Sequence, residues 1–191
     1  LRVNENTTKL RVTRNKVFHA GRMAGPCLNQ AGTATKRPKT ASVKPKEIEL
    51  TYPGGARDAE TLMVDPISGD LFIVSKRDEK NTLYCVPKSA FSSGSGVLEQ
   101  LHQFDFSSSV GGDISQDGSQ ILIKNYFAVY YWERKSGESV ETALKRTPSK
   151  LPYVPEPQGE AIGFNPSGTA YFTISEKRFN IIPVLYRYDK K

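Results

Sequence analysis

An internal repeat with a spacing close to fifty residues runs through most of this 191-residue chain. Residues 60–66 (Glu-Thr-Leu-Met-Val-Asp-Pro) match residues 160–166 (Glu-Ala-Ile-Gly-Phe-Asn-Pro) one hundred positions later. Residues 112–118 supply a third copy midway between them. A repeat of this length is typical of a small supersecondary unit that buries its apolar surface only by stacking on its neighbours.

Each copy is predicted to form a hairpin that extends into a meander. Pro66 and Pro166 preset φ for a turn, and the glycine that ends each turn can adopt the left-handed conformation that a bulged hairpin needs. These turn glycines are Gly69, Gly118 and Gly168. The apolar runs that follow them are 71–74, 121–123 and 171–174, and the tyrosine-containing segments after those are 82–86, 129–132 and 184–188. Residues 97–106 and 139–144 are predicted to form a fourth strand in two copies.

Four short antiparallel strands in a repeat of fifty residues predict a β-propeller blade. We therefore expect an all-β fold, a partial β-propeller of four-stranded antiparallel blades with a basic, loosely structured N-terminal extension. The extension covers residues 1–46, and about three blades follow in 47–191, at approximately 53–104, 105–153 and 154–191. The first fifty residues hold 11 Lys and Arg against 3 Asp and Glu, so the net charge of +7 comes from that end.

The repeat resembles a known group of proteins. Residues 57–76 and 158–166 are similar to a blade motif of secreted β-propellers in the neighbourhood of the NHL-type, gluconolactonase-like and phytase-like families. The resemblance covers about residues 47–189. It is specific for the architecture and carries little about activity, because such blades serve many unrelated functions.

The number of blades is lower than in a closed propeller. Six blades at this spacing need roughly 300 residues, so we expect the chain to be part of a longer protein, with an open fan as the alternative. A chain that starts at Leu1 rather than at Met also indicates a processed product or a fragment. Exposed blade edges would favour self-association.

Four carboxylates are candidate metal ligands. The first strand of a propeller blade lines the central channel, and the candidates on these strands are Asp58, Glu60, Asp113 and Glu160. Their oxygens could hold Ca²⁺, which takes six to eight oxygen ligands. In gluconolactonase-like and phytase-like propellers a metal held in this way supports ester or phosphoester hydrolysis. The alternative is a structural network in which Lys76, Arg77 and Lys124 pair with the acids.

The basic extension is the candidate polyanion-binding segment, with a solvated tail as the alternative. Its candidate residues are Lys36, Arg37, Lys39, Lys44 and Lys46. Nucleic acid is not favoured, because no stacking aromatics are interleaved with these residues. Asn6 is a glycosylation acceptor if the chain is secreted. Cys27 and Cys85 could form one disulfide, or Cys85 could be a buried free thiol.

The sequence lacks the motifs of several enzyme classes. The sequence holds no nucleophile elbow and no phosphate-binding glycine loop, and no catalytic residue can be named. It has no apolar run long enough to span a membrane. We expect a secreted binding or scaffold protein of an extracellular matrix of protein, polysaccharide or mineral. A non-enzymatic role is favoured, and the alternative is a calcium-dependent lactonase or phosphoesterase.

Overall fold

The structure is a computed structural model that describes residues 8–12, 46–178 and 180–190. Its strands are β1 (Thr8–Val12), β2 (Lys46–Thr51), β3 (Ala59–Val64), β4 (Leu71–Ser75), β5 (Thr82–Cys85), β6 (Ser95–Val97), β7 (Glu99–Gln103), β8 (Ser109–Ile114), β9 (Gln120–Asn125), β10 (Val129–Glu133), β11 (Ser149–Leu151), β12 (Gly159–Phe164), β13 (Ala170–Ser175) and β14 (Tyr186–Asp189). Its short helices are α1 (Ala90–Ser93) and α2 (Val140–Leu144). The all-β prediction is confirmed.

The strands form one sheet for each repeat. Blade 1 is the four-stranded sheet β3-β4-β5-β7, and blade 2 is the four-stranded sheet β8-β9-β10-β11. Blade 3 is the three-stranded sheet β12-β13-β14. All neighbours within these blades are antiparallel. A further sheet, β1-β2-β6, precedes blade 1 and is called the N-terminal sheet here; in it β6 runs parallel to β2.

The same two backbone irregularities recur in every blade. The turn glycines Gly69, Gly118 and Gly168 have φ of 75°, 74° and 67°, as the turn chemistry predicts. The pairing of the first two strands of each blade shifts register at Glu60, Val110 and Glu160, which are fifty residues apart. Register shifts of this kind are β-bulges, which bend a strand and re-aim its side chains.

Apolar clusters join each sheet to the next. Ile48 and Leu50 of the N-terminal sheet pack with Leu71 and Ile73 of blade 1. The other side of blade 1 and the facing side of blade 2 form a second cluster, which includes Met63, Phe72, Val74, Ile121, Ile123 and Trp132. Leu122 and Val129, on the other side of blade 2, pack with Ile162, Phe164 and Tyr171 of blade 3. We call the side of a blade that is turned toward the following blade its back face.

The innermost strands β3, β8 and β12 lie side by side, with glycines where they approach most closely. A Cβ added to Gly111 would lie 2.8 Å from the backbone oxygen of Glu160, and one added to Gly112 would lie 2.9 Å from Met63 Sδ. Larger residues at these two positions would push the blades apart. This arrangement of inner strands is propeller-like.

The predicted strand at residues 139–144 is wrong, because most of that segment forms α2. The Ser139 hydroxyl accepts a hydrogen bond from the Thr142 N–H and caps the helix. Val140, Ala143 and Leu144 then point into the core at helical spacing. The fourth strand of blade 2 is β11 instead.

Several predictions fall on residues outside the described ranges. Those residues are Asn6, Cys27, Lys36, Arg37, Lys39 and Lys44. The predicted glycosylation site, disulfide and most of the polyanion-binding segment therefore stay predictions. Within the part of the chain that the structure describes, neither helix is long and apolar enough to cross a membrane.

Candidate functional site

The predicted carboxylates Glu60 and Glu160 occupy equivalent positions at the start of the inner strands β3 and β12. Each sits at the bulge of its blade, which turns its side chain out of the regular alternation of the strand. The middle blade has Val110 at the same place. The repeat therefore presents acids from blades 1 and 3 at the same end of the inner strands.

A lysine lies between these two acids. Lys76 follows β4, and its Nζ is 2.5 Å from Glu60 Oε2 and 3.6 Å from Glu160 Oε1. Lys76 also donates to the hydroxyl of Tyr126 at 2.9 Å, and Tyr126 donates to Glu160 Oε1 at 2.7 Å. Tyr126 follows β9 and is the fifty-residue counterpart of Lys76. We call Glu60, Lys76, Tyr126 and Glu160 the polar network; it links all three blades.

The charges in and beside the polar network are paired. Burial acts to lower the pKa of Lys76, but its hydrogen bonds with Glu60 and Tyr126 outweigh that effect, so the pKa is raised. Lys76 is therefore a fixed cation at neutral pH. Asp58 lies beside the network and pairs with Arg77, whose Nε is 2.5 Å from Asp58 Oδ2. Three of the four predicted metal ligands are thus in contact with cations of the chain itself.

The fourth predicted ligand, Asp113, lies elsewhere. It lies three residues beyond Val110, the blade 2 counterpart of Glu60. Three residues span about 10 Å along an extended strand. Its carboxylate accepts the N–H of Phe164 at 2.7 Å and that of Ile114 at 2.9 Å, and so ties blade 2 to blade 3. Burial raises the pKa of Asp113 to about 6.

These positions do not fit a calcium site. Ca²⁺ needs six to eight oxygens around one point. Three of the carboxylates instead form ion pairs with Lys76 or Arg77, and Asp113 accepts hydrogen bonds from backbone N–H groups. Among the residues that the structure describes, no group of three or more His, Cys, Asp and Glu side chains is placed to hold a metal ion. Lys76 and Arg77 pair with these acids, as the structural alternative expected, whereas Lys124 donates to the backbone oxygen of Gly159.

The sequence offered Lys124 only as a partner of the acids and did not predict that it would be the most deeply buried charge of the site. Lys124 is fully buried in β9, where blades 1 and 3 carry the apolar residues Val74 and Ile174. Its ammonium group donates to the backbone oxygen of Gly159 and lies 4.6 Å from the centre of the Tyr153 ring. Burial lowers its pKa to about 8. An alignment of the three repeats would have exposed this substitution.

A buried acid accompanies Lys124. Glu156 is 8% exposed, and neither of its carboxylate oxygens has a hydrogen-bond partner among the described residues. Its charge favours the protonated form of Lys124. A buried carboxylate without a hydrogen-bond partner is costly. Lys124 and Glu156 therefore form a second, buried part of the site, beneath the segment that leads into β12.

A polar cleft of about 420 Å³ lies apart from these residues, on the outer part of blade 1. The cleft is lined by Arg57, Asp78, Glu79, Lys80, Thr82, Tyr84, Gln100 and Gln103. No predicted site residue lines it. Arg57 and Asp78 form an ion pair of 3.1 Å across it.

Two further predicted residues fall on the described chain. Cys85 has no disulfide partner among the described residues, and burial raises the pKa of its thiol to about 11. Lys46 begins β2, and its ammonium group donates to the backbone oxygen of Phe91.

Comparison with known proteins identifies the architecture and no family. No family model matches the chain, and no curated protein does. Hydrazine synthase from Kuenenia stuttgartiensis is 11% identical with a TM-score of 0.50, over 76% of this chain and 39% of that chain. A protein from Lactobacillus plantarum is 7% identical with a TM-score of 0.41, over 98% of this chain and 54% of that chain.

The chain therefore spans about two fifths of the hydrazine synthase chain and about half of the Lactobacillus plantarum protein. At 11% identity, the likeness to hydrazine synthase shows a fold and nothing about activity. The architecture is propeller-like, as the resemblance to β-propellers predicted.

Proposed function

We propose that the chain is a β-propeller-type scaffold protein that associates with copies of itself through the exposed apolar residues on the back face of blade 3. The repeat supplies the observation that carries this proposal. Phe72 and Leu122, one in each preceding blade, are buried against the next blade. Their counterpart Phe172 is only half-buried, and Ile174 beside it is 38% exposed.

The segment before β14 carries further exposed apolar residues. There Ile182 is 78% exposed, Leu185 55%, Val184 50% and Ile181 45%. Side chains of this kind that cluster on one surface favour an interface. We call these four residues, with Phe172 and Ile174, the blade 3 patch.

A second copy of the chain supplies a suitable partner surface. The outer side of the N-terminal sheet is charged, because exposed Glu47 and Glu49 of β2 lie opposite Arg11 and Lys9 of β1 in the strand register. An apolar partner would desolvate these charged groups. The same patch on a second copy is apolar, and a contact between identical patches closes as a two-fold dimer. The proposal therefore pairs blade 3 with blade 3.

Sedimentation of the full chain between about 5 and 200 µM tests this proposal, a range that spans weak dimers. We expect a concentration-dependent rise above the 21.2 kDa monomer. Ile182→Glu combined with Leu185→Glu should hold the chain monomeric. Phe127→Glu is the matched control, because Phe127 is also 78% exposed and lies outside the patch. A monomer throughout the range, or equal loss with Phe127→Glu, would overturn the proposal.

The second part of the proposal is the setting, a secreted protein of an extracellular matrix. It is supported by the predicted resemblance to secreted propellers and by the charge of the N-terminal extension. Replacement of Lys36, Arg37, Lys39 and Lys44 by Gln should abolish retention of the chain on heparin at physiological salt. Unchanged retention would remove the extension from the proposal.

The calcium-dependent hydrolase receives no comparable support. Its candidate carboxylates are engaged by Lys76, Arg77 and backbone amides. The narrower kinship with NHL-type, gluconolactonase-like or phytase-like propellers also stays a proposal.

A further inference from the structure

The polar cleft of blade 1 is formed where that blade departs from blade 2. Residues 76–81 connect β4 to β5, whereas residues 126–128 make the equivalent, shorter connection between β9 and β10. The longer connection supplies Asp78, Glu79 and Lys80, which all line the cleft. In repeat proteins, an insertion confined to one repeat often lies on the binding face. The cleft is therefore an addition to the blade and not a consequence of its strand pairing alone.

A β-bulge in the fourth strand of blade 1 adds two glutamines to the same surface. Gln103 pairs with Thr82 of β5. The register then shifts, and Gln100 takes the place of Leu101 opposite Tyr84. Residues that pair directly across two strands point to the same face of the sheet. The bulge therefore turns both amide side chains into the cleft, whereas β11 of blade 2 pairs with β10 in one continuous register.

Contacts within the chain hold the lining of the cleft in place. The Tyr84 side chain is 2% exposed and packs edge-on against the Tyr52 ring, with 5.0 Å between the ring centres. The Tyr84 hydroxyl has hydrogen-bond partners in the side chains of Thr82 and Arg57. Arg57 in turn pairs with Asp78 at 3.1 Å. Because these polar groups are already positioned, a ligand would pay less for ordering them.

The charges that line the cleft balance each other. Arg57 and Lys80 are cationic, and Asp78 and Glu79 are anionic. The other lining side chains carry hydroxyl or amide groups, which both donate and accept hydrogen bonds. An anionic ligand would meet the two acids and a cationic ligand would meet the two bases. A neutral ligand that is rich in hydroxyl groups finds donors and acceptors in the cleft without either repulsion.

We propose that the polar cleft of blade 1 binds a short neutral carbohydrate. Its volume of about 420 Å³ lies within the range of small-molecule clefts, about 300–1,000 Å³. Neighbouring hydroxyls of a sugar can bond in pairs to the planar amides of Gln100 and Gln103 and to the guanidinium of Arg57. The inference goes beyond the self-association proposed above and does not depend on it, because that contact lies on blade 3.

The side-chain amide signals of Gln100 and Gln103 report on the cleft directly. The isotope-labelled full chain is titrated with cellobiose, maltose, lactose and N,N′-diacetylchitobiose, each to about 20 mM, which covers weak binding. We expect at least one of these disaccharides to shift both amide signals along one saturable curve. The side-chain amide of Gln116, which is exposed in a turn of blade 2, should not shift.

Two double variants test the assigned groups, with the backbone N–H signal of Thr82 as the readout. Gln100→Ala/Gln103→Ala should weaken binding roughly tenfold, because the hydrogen bonds of both amides are lost. Both glutamines are exposed, and Gln116→Ala is the matched control that should leave the Kd unchanged. Asp78→Asn/Glu79→Gln removes both negative charges of the lining, so binding of glucuronic acid should tighten roughly tenfold.

Three outcomes would overturn the inference. The first is that none of the four disaccharides shifts the two amide signals. The second is that the unaltered chain binds glucuronic acid or glucosamine more tightly than every neutral sugar. The third is that Gln116→Ala weakens binding as much as Gln100→Ala/Gln103→Ala does. Ile182→Glu/Leu185→Glu should bind the sugars like the unaltered chain, so a failure of self-association and a failure of sugar binding remain distinguishable.

Discussion

Two charged residues of blade 2 stand where that repeat departs from the other two. Lys124 replaces the apolar residues Val74 and Ile174 of its neighbours. Asp113 stands at the position of Met63 and Gly163. Both lie in blade 2 and both bond to backbone groups of blade 3. These two residues therefore connect blades 2 and 3 by hydrogen bonds.

The buried lysine and glutamate should depend on each other. Lys124→Met alone removes the hydrogen bond to the Gly159 oxygen and a nearby charge that favours the Glu156 carboxylate, and it should lower the free energy of unfolding by about 2–3 kcal/mol. Adding Glu156→Gln should recover more than half of that loss, because the remaining buried charge is removed. Urea denaturation of the two single variants and the double variant measures the coupling. Simple addition of the two single effects would contradict the coupling.

Asp113 should make stability rise toward acid pH. Its pKa is raised to about 6, so the folded chain takes up a proton before the unfolded chain does. Between about pH 6 and pH 4, the free energy of unfolding should therefore increase relative to that of Asp113→Asn, by no more than about 3 kcal/mol. Denaturation at pH 4.5, 5.5 and 7 compares the two proteins. Parallel pH curves would show that Asp113 ionises freely.

At the scale of elements, the sequence predicts hairpins well and longer connections poorly. The turn around Gly69, for example, is local, because a proline and a glycine within four residues determine its backbone. Residues 139–144 show the limit. Their position after the third strand of the repeat suggested a fourth strand, whereas the Ser139 cap and the burial of Val140, Ala143 and Leu144 favour a helix. A six-residue segment carries too few turns for its period to decide between strand and helix.

The cap of α2 has a matched control in the same chain. Ser139→Ala removes the side-chain acceptor for the Thr142 N–H and should cost about 1 kcal/mol of stability. Ser89 occupies the equivalent position of α1 but makes no side-chain cap bond, so Ser89→Ala should cost much less. Chemical denaturation of both variants checks the difference. Equal costs would contradict the role assigned to the Ser139 hydroxyl.

At the scale of the whole molecule, the repeat predicts the blades but not the N-terminal sheet that packs against blade 1. The N-terminal sheet combines β1, β2 and a parallel β6 from a distant part of the chain, and such pairings leave no periodic signal. The candidate site was also predicted only in part. Glu60 and Glu160 do meet at one end of the inner strands, but the cations that neutralise them come from the ends of other strands.

The central claim is that the fifty-residue units are blades whose inner strands lie side by side. Nuclear Overhauser contacts in the isotope-labelled chain test it most directly. We expect contacts from the Gly112 Hα protons to the Met63 methyl group, and from the Gly111 Hα protons to the Ile162 methyl groups. Both pairs are about fifty residues apart in the chain. Absence of both contacts, with intact hairpin contacts inside each unit, would contradict the account.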